Sequence, residues 1–288
     1  MLIVALVAVL VWYLIEGRAK SEDPAAPVDG QCEIVMIDIG QGDAFLVRTP
    51  EGCALFDTGP YAGRSKLGSY LKGAGIEKID YLILSHPHED HIGNADYVIK
   101  NYKVGHLIMP DAETNTACFE RTLLAADAAG LEIEIPQKGE KFSVGDAVFT
   151  VLFDGEGADK DDLNKCSLVI RMDYGGVSAL FTGDAEKWNE NLLLSGDRSL
   201  LDCDILKVAH HGSDTANSDA FIAAVSPSVA LISCEAGNSY GHPHTKALKT
   251  LEKYNVTVYR TDLTSTVMLV TDGKDVGKAE KEGIKWAS

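Results

Sequence analysis

Three things are missing from this sequence, and each absence closes a class. Its six cysteines (Cys32, Cys53, Cys118, Cys166, Cys203, Cys234) never form a C-x-x-C pair, which excludes a zinc ribbon and a thioredoxin-type redox pair. Most sit inside apolar runs and read as buried small hydrophobes; if the chain is exported, one disulfide stays open, with no pairing indicated. No Gly/Ser-rich linker and no repeat of fixed period divides residues 32–272, which argues against two domains or a solenoid. Basic residues are scarce: 26 Lys and Arg stand against 43 Asp and Glu, a formal net charge of −17. A field of that sign repels polyanions unless a groove or a bound cation reverses it locally, so a generic nucleic-acid-coating protein is excluded. Lys165, Lys207 and Arg260 are too dispersed to establish such a groove, and aromatic residues do not interleave with basic ones as single-strand stacking requires.

Long apolar runs are also rare. Met1 to Ile15 forms one, and a polar, proline-bearing stretch follows, so residues 1–15 are predicted to be a hydrophobic signal or anchor segment and residues 16–31 a linker. The run falls short of the roughly 20 residues that span a bilayer core, and no basic stretch precedes it. A buried N-terminal strand or helix is the competing reading. On the first reading the protein is secreted or anchored facing the outside of the cell, and it touches the membrane only through residues 1–15.

What is present is a globular chain, 45% hydrophobic and 24% charged over 288 residues. Short β-rich runs alternate with helical patterns: Glu33–Asp38, Ala44–Arg48, Cys53–Asp57 and Tyr81–Ser85 read as strands, as do Val177–Thr182, Asp204–Ala209 and Val229–Ser233. Helices are predicted around 65–72, 95–101, 118–129, 187–194, 219–224 and 245–254. The sum is one layered α/β domain over 32–272, with a charged, loosely ordered tail at 273–288.

The chemistry concentrates at strand ends. Ser85-His86-Pro87-His88-Glu89-Asp90-His91 follows the apolar run Tyr81–Leu84 and places three of only eight histidines within six residues. A tight turn there offers His86, His88, Asp90 and His91 to one or two borderline metal ions. Asp184, after Phe181-Thr182-Gly183, supplies a further carboxylate that would bridge two ions about 3.5–4 Å apart; a helix N-cap is its plainer role. His210-His211-Gly212-Ser213 ends another strand. One of its histidines is expected to bind metal, with His210 preferred and His211 left as second candidate or general acid. Gly212 and Ser213 are candidate holders of substrate oxygens. In Tyr240-Gly241-His242-Pro243-His244, His242 is expected to meet a leaving group or phosphate, while His244 reads as a capping residue. Asp57 and Asp43 are expected behind the ligands, bracing the histidine loop by hydrogen bonds.

His86-x-His88-x-Asp90-His91, Asp57-Thr58-Gly59, Thr182-Gly183-Asp184 and His210-His211-Gly212-Ser213 together resemble the metallo-β-lactamase superfamily. With Asp38-Ile39-Gly40-Gln41-Gly42-Asp43-Ala44 and Gly241-His242-Pro243, residues 33–271 resemble the hydrolase domain of ComEC-type DNA-uptake competence proteins. The resemblance implies an αββα four-layer sandwich with the metal site at the edge between the sheets, and metal-dependent hydrolysis with nuclease or phosphodiesterase chemistry. Superfamily members commonly supply another histidine from the segment before the Asp184 strand. Here that segment reads Asp161-Asp162-Leu163-Asn164-Lys165-Cys166-Ser167, so Asn164 is the candidate oxygen ligand, which would favour a harder ion.

These readings predict a hydrolase with two divalent ions, Zn²⁺ or alternatively Mn²⁺, and a metal-activated water as nucleophile, acting on a phosphodiester such as DNA; Asp90, His211 and His242 are its candidate catalytic residues. No protein partner is indicated. A hydrolase of thioester, lactam or lactone carbonyls and a non-catalytic surface binding module are the alternatives.

Overall fold

The computed structural model describes residues 27–280 and 283–286. The segments expected at 1–15 and for most of 16–31 therefore lie outside the described residues. The first six strands, β1 (Cys32–Met36), β2 (Phe45–Thr49), β3 (Gly52–Phe56), β4 (Lys78–Ile83), β5 (Lys103–Ile108) and β6 (Ile133–Glu134), lie side by side in chain order. The next seven build a second sheet: β7 (Lys141–Val144), β8 (Ala147–Phe153), β9 (Val169–Tyr174), β10 (Val177–Phe181), β11 (Ile205–Lys207), β12 (Val229–Ile232) and β13 (Thr257–Arg260). The chain then returns to the first sheet, where β14 (Val267–Thr271) pairs with β1, and β15 (Val276–Glu280) and β16 (Gly283–Trp286) extend that edge.

Each sheet is half antiparallel meander and half parallel. In the first, β1, β2 and β3 are antiparallel neighbours and β3 to β6 run parallel; in the second, β7 to β10 alternate and β10 to β13 run parallel. Parallel neighbours need crossovers, and helices supply them. In the first half these are α1 (Arg64–Gly73), α2 (Glu89–Ile92), α3 (Ala95–Asn101) and α4 (Ala117–Ala129). The second half has α5 (Lys187–Ser195), α6 (Asp219–Val225), α7 (Thr245–Lys253) and α8 (Thr261–Thr264).

The apolar side chains sort into three buried layers. Phe45, Phe56, Phe149, Phe181 and the inward residues of both sheets fill the space between the sheets. Leu67, Leu71, Val98 and Phe119 seal the first set of helices to the outer face of the first sheet, and Leu193, Phe221, Ile222 and Leu251 do the same for the second. The architecture is the αββα sandwich. Strands covered on both faces lose the in-out alternation, and Phe45–Thr49 and Val177–Phe181 are buried at every position, the polar Arg48, Thr49 and Ser178 included.

Residues 273–288, expected as a loose tail, instead carry β15 and β16. The charges misled: Val276 is buried against β14 while Lys278 lies over the Tyr259 ring at 5.0 Å, so β15, near the sheet edge, tolerates polar residues that a central strand would not.

Direction decides where function sits. Because β1 and β3 are both antiparallel to β2, the loop after β1 emerges at the same edge as the turns after β3 and β4. In the facing sheet β10, β11 and β12 end at that edge as well. Crevices outside the carboxyl ends of parallel strands are where open α/β sheets bind ligands. Just beneath the edge Phe56, the last residue of β3, stacks on Phe181, the last of β10, with centroids 4.1 Å apart and planes 9° from parallel. That contact fixes how far apart Asp57 and the Thr182-Gly183-Asp184 turn are held.

Candidate metal centre

The histidine loop leaves β4 at Leu84 and runs through His88 into the single turn α2. This turn brings His91 back under the loop, where its imidazole is fully buried. His91 places Nε2 3.2 Å from Asp184 Oδ1 and 3.8 Å from Asp90 Oδ2. His211 Nε2, from the other sheet, lies 3.3 Å from Asp90 Oδ2 and 3.6 Å from Asp184 Oδ2. Asp43, His91, Asp184 and His211 each bring a ligand atom within 4.8 Å of the others, and Asp90 faces the Nε2 atoms of both rings, as Asp184 does. His91 Nε2 and Asp184 Oδ1 are buried and within reach, yet neither makes an aligned hydrogen bond. Donors that converge without satisfying one another fit a cation between them, and this set of nitrogen and oxygen donors suits a borderline divalent ion.

A second half-set adjoins the first. His86 Nε2 and His88 Nδ1 are 2.9 Å apart, and the His86 ring is 4.1 Å from that of His91. The Oδ1 of Asn164 is buried without a partner, in the same segment whose Ser167 hydroxyl accepts from the Asp184 amide at 3.0 Å.

The other faces of the rings are held by protein. Asp57 accepts from the Ser85 amide at 2.7 Å and the Ser85 hydroxyl at 2.8 Å, and its Oδ2 lies 2.8 Å from His91 Nδ1. The Ser85 hydroxyl in turn sits 3.1 Å from His86 Nδ1. This network puts the ring protons on the Nδ1 side and leaves the Nε2 lone pairs facing inward, the arrangement that orients metal-binding histidines. His211 Nδ1 is engaged by the Ser233 carbonyl at 2.9 Å.

Electrostatics follow from the crowding. Burial pushes the His91 imidazole down, but Asp184, Asp57 and Asp90 outweigh it and hold His91 well above the usual histidine range. Burial likewise opposes His211, which Asp184 and Asp43 raise to about 10. Asp184 is driven up by burial yet ends well below the carboxylate range because His91, His211 and Lys207 surround it. His86, buried and beside His91, falls well below its ordinary value. Without metal the centre is therefore neutralised by protons on His91 and His211.

The paired histidines resolve differently from the expectation that favoured His210. Both sit at positive φ, 50° and 51°, so consecutive side chains swing to different sides. His211 enters the centre, 1% exposed, while His210 stays at the rim, 20% exposed, near Thr215 and Glu186, with Nε2 3.6 Å from Asp184 Oδ2. With both nitrogens engaged inside, His211 is unsuited to be a general acid. Asp184 caps no helix: Glu186 does so for α5, in a reciprocal pair with Asn189. Ser213 and Gly212 are not open to substrate. The Ser213 hydroxyl accepts from the Thr215 amide at 3.2 Å, and Gly212 packs so closely on Pro243 that an added Cβ would lie 2.5 Å from that ring. The side chain of His244 makes no cap bond either; its Nδ1 accepts from the Asp214 amide at 3.0 Å.

His242 is half-buried at the mouth, its ring 5.5 Å from that of His210 and 6.0 Å from that of His211, with a buried Nδ1 that has no partner. Burial, followed by the neighbouring His211 and His210, lowers it to about 4, so it is neutral at physiological pH. Asp43 reaches the centre across the Gly40–Gly42 turn, where Gly42 at φ 152° lets the Asp43 amide donate to the Asp90 carbonyl at 3.1 Å. Sequence reasoning missed Lys207. It is 3% exposed, paired with Asp43, and 3.6 Å from Asp184. The signal was a single lysine at the end of an otherwise apolar strand, which must find a buried anion.

Residues 37–236 match the Metallo-beta-lactamase superfamily. The chain is similar to ComE operon protein 3 of Bacillus subtilis (strain 168), 36% identical over 253 residues that cover 82% of this chain and 32% of that protein. It is also similar to Competence protein ComA of Neisseria gonorrhoeae, 30% identical over 247 residues, 85% of this chain and 33% of that one. The chain spans about a third of the length of these curated relatives. The crystal structure of the metallo-beta-lactamase fold protein YhfI from Bacillus subtilis shares the fold, with a TM-score of 0.58 at 15% identity over 83% of this chain and 100% of that one.

Proposed function

The chain belongs to the metallo-beta-lactamase superfamily and is a metal-dependent hydrolase, and from that premise we propose that its substrate is a phosphodiester, cleaved outside the cytoplasm. We assign Asp90, His91, Asp184 and His211 to one divalent ion, and His86, His88 and the Asn164 oxygen, with Asp184 between the sets, to a second. Such ions, when bound, lower the pKa of water toward neutrality and offset the charge that builds on phosphate oxygens, a task a chain of net charge −17 cannot give to its own side chains here.

The observation that carries the phosphorus reading is the imidazole pair at the mouth. His242 and His210 stand outside the donor set, on the His211 side. The unpaired Nδ1 of His242 is a polar group that a phosphoryl or leaving-group oxygen would satisfy. Being neutral, His242 donates a hydrogen bond rather than a proton. DNA as the natural diester follows from the ComEC-type resemblance and from a relative named as a competence protein.

The test is turnover of bis-p-nitrophenyl phosphate against a β-lactam and a thioester by metal-loaded protein, with Asp184→Asn as control. Diester cleavage that the variant loses supports the reading; preference for either carbonyl substrate would overturn it. Among the described residues no helix is long and apolar enough to cross a membrane, so the extracytoplasmic address rests on residues 1–15. Fusing residues 1–30 to a reporter active only outside the cytosol tests it, and a reporter retained in the cytosol would refute it.

A further inference from the structure

Four carboxylates crowd the centre, Asp43, Asp57, Asp90 and Asp184, and Asp43 lies close enough to His91, Asp184 and His211 to be counted among the ligands. The directions of approach separate it from them. Asp90 and Asp184 meet the two imidazoles at Nε2. Asp43 meets the same two rings at Nδ1, 3.3 Å away on His211 and 3.8 Å on His91. The two nitrogens of an imidazole point to opposite sides, so an ion held by Nε2 of both rings faces away from Asp43. What Asp43 does face is Lys207, whose ammonium also donates to the Gly183 carbonyl at 2.5 Å and sits 3.6 Å from Asp184 Oδ1. A cavity of about 10 Å³, room for a single water, is lined by Asp43, Asp57, Ser85 and Lys207 beneath the centre.

We propose that Lys207 is an internal counter-ion that withdraws Asp43 from the metal-binding set. It gives the Asp43 carboxylate a permanent cation below the centre, so that Asp90 and Asp184 are the carboxylates left for metal. A buried ammonium with no anion would turn to the nearest carboxylate, and the nearest after Asp43 is Asp184. Asp43 therefore keeps Lys207 from competing with metal for Asp184, and Lys207 keeps Asp43 from joining the ligands. The pair also ties β11 to the loop between β1 and β2, across the two sheets. Both residues are positioning residues. The inference rests on the metal-centre assignment above and is independent of which ester the enzyme cleaves.

A double-mutant cycle on metal-free protein tests it, with Zn²⁺ affinity read by competition with a chromophoric chelator and folding by thermal denaturation. Asp43→Asn leaves Lys207 unpaired beside Asp184, and Zn²⁺ affinity falls by about 10- to 100-fold, the usual loss when an outer partner of a metal site is removed. Lys207→Met frees Asp43 toward the rings, and affinity rises or an added weak site appears. The double variant Asp43→Asn/Lys207→Met returns to within about threefold of wild type, because neither charge is left to misdirect. If Asp43 is itself a ligand, the double variant stays as weak as Asp43→Asn, which overturns the proposal; a Lys207→Met variant that binds Zn²⁺ more weakly than wild type also overturns it. Should Lys207→Met alone fail to fold, the comparison of Asp43→Asn with the double variant still decides. A wild type that takes up no Zn²⁺ would sink the metal centre itself, an outcome distinct from a cycle that fails on a metal-binding protein.

Discussion

Asp57 Oδ2 lies 2.8 Å from His91 Nδ1 while the backbone of Asp57 is held at φ 58°, a left-handed conformation that places its carboxylate under the histidine loop instead of along β3. Asparagine tolerates that backbone, so Asp57→Asn should fold. It fills the space yet no longer fixes the His91 proton on Nδ1. Zn²⁺ affinity is expected to drop by about 10- to 100-fold with little change in the fold, measured by chelator competition and circular dichroism.

His211 and His210 are neighbours with opposite fates, and metal content separates them. His211→Ala removes a buried nitrogen from the donor set, so the purified variant should lose one equivalent of tightly bound metal by elemental analysis. His210→Ala, at the rim, should keep the wild-type metal content and lose turnover. The reverse pattern would reinstate the assignment favoured from sequence.

The raised pKa of His211 gives the centre a signed pH dependence. In the unfolded chain His211 titrates near 6.5, in the metal-free folded protein at about 10. Its protonated form therefore stabilises the folded state fully below pH 6.5, and that contribution is lost as pH rises toward about 10. Chemical denaturation of metal-free protein should show stability declining over that window, with the slope reduced in His211→Gln. Metal displaces the same proton, so Zn²⁺ affinity should climb over the same range, with protons released on binding.

Gly42 is a position where a methyl group cannot be added. A Cβ there would lie 2.3 Å from the Asp90 carbonyl oxygen, on a backbone at φ 152°. Gly42→Ala should cost at least about 1–3 kcal/mol from backbone strain alone, more with the clash, and should shift Asp90 off the centre. Thermal denaturation and Zn²⁺ titration would both register the change. A fully stable, fully metal-binding variant would contradict the contact.

Much of this centre is readable from the chain alone because its residues follow apolar strands directly. Asp57, His86 and Asp184 each come within three residues of a strand end, and the apolar pairs that locate those ends, Leu55-Phe56, Leu82-Ile83 and Leu180-Phe181, are buried. The choice between His210 and His211 is not readable, since it depends on two consecutive left-handed backbones that no spacing rule encodes. Lys207 escaped for another reason: counted with surface cations, a lysine inside Asp204-Ile205-Leu206-Lys207-Val208-Ala209 looks like one more dispersed charge, whereas burial makes it a partner. The hairpin of β15 and β16 was hidden by composition, its polar side chains being those an edge strand carries.

The donors do not all hang from one layer. His86, His88, Asp90 and His91 follow β4 in the first sheet, while Asp184 and His211 follow β10 and β11 in the second. An ion seated among them is a rivet through the sandwich, joined below by the Phe56–Phe181 stack. Chelation should then loosen one rim of the molecule as a unit: amides after β4 and β10 would exchange faster together, while those at the opposite rim keep their pace.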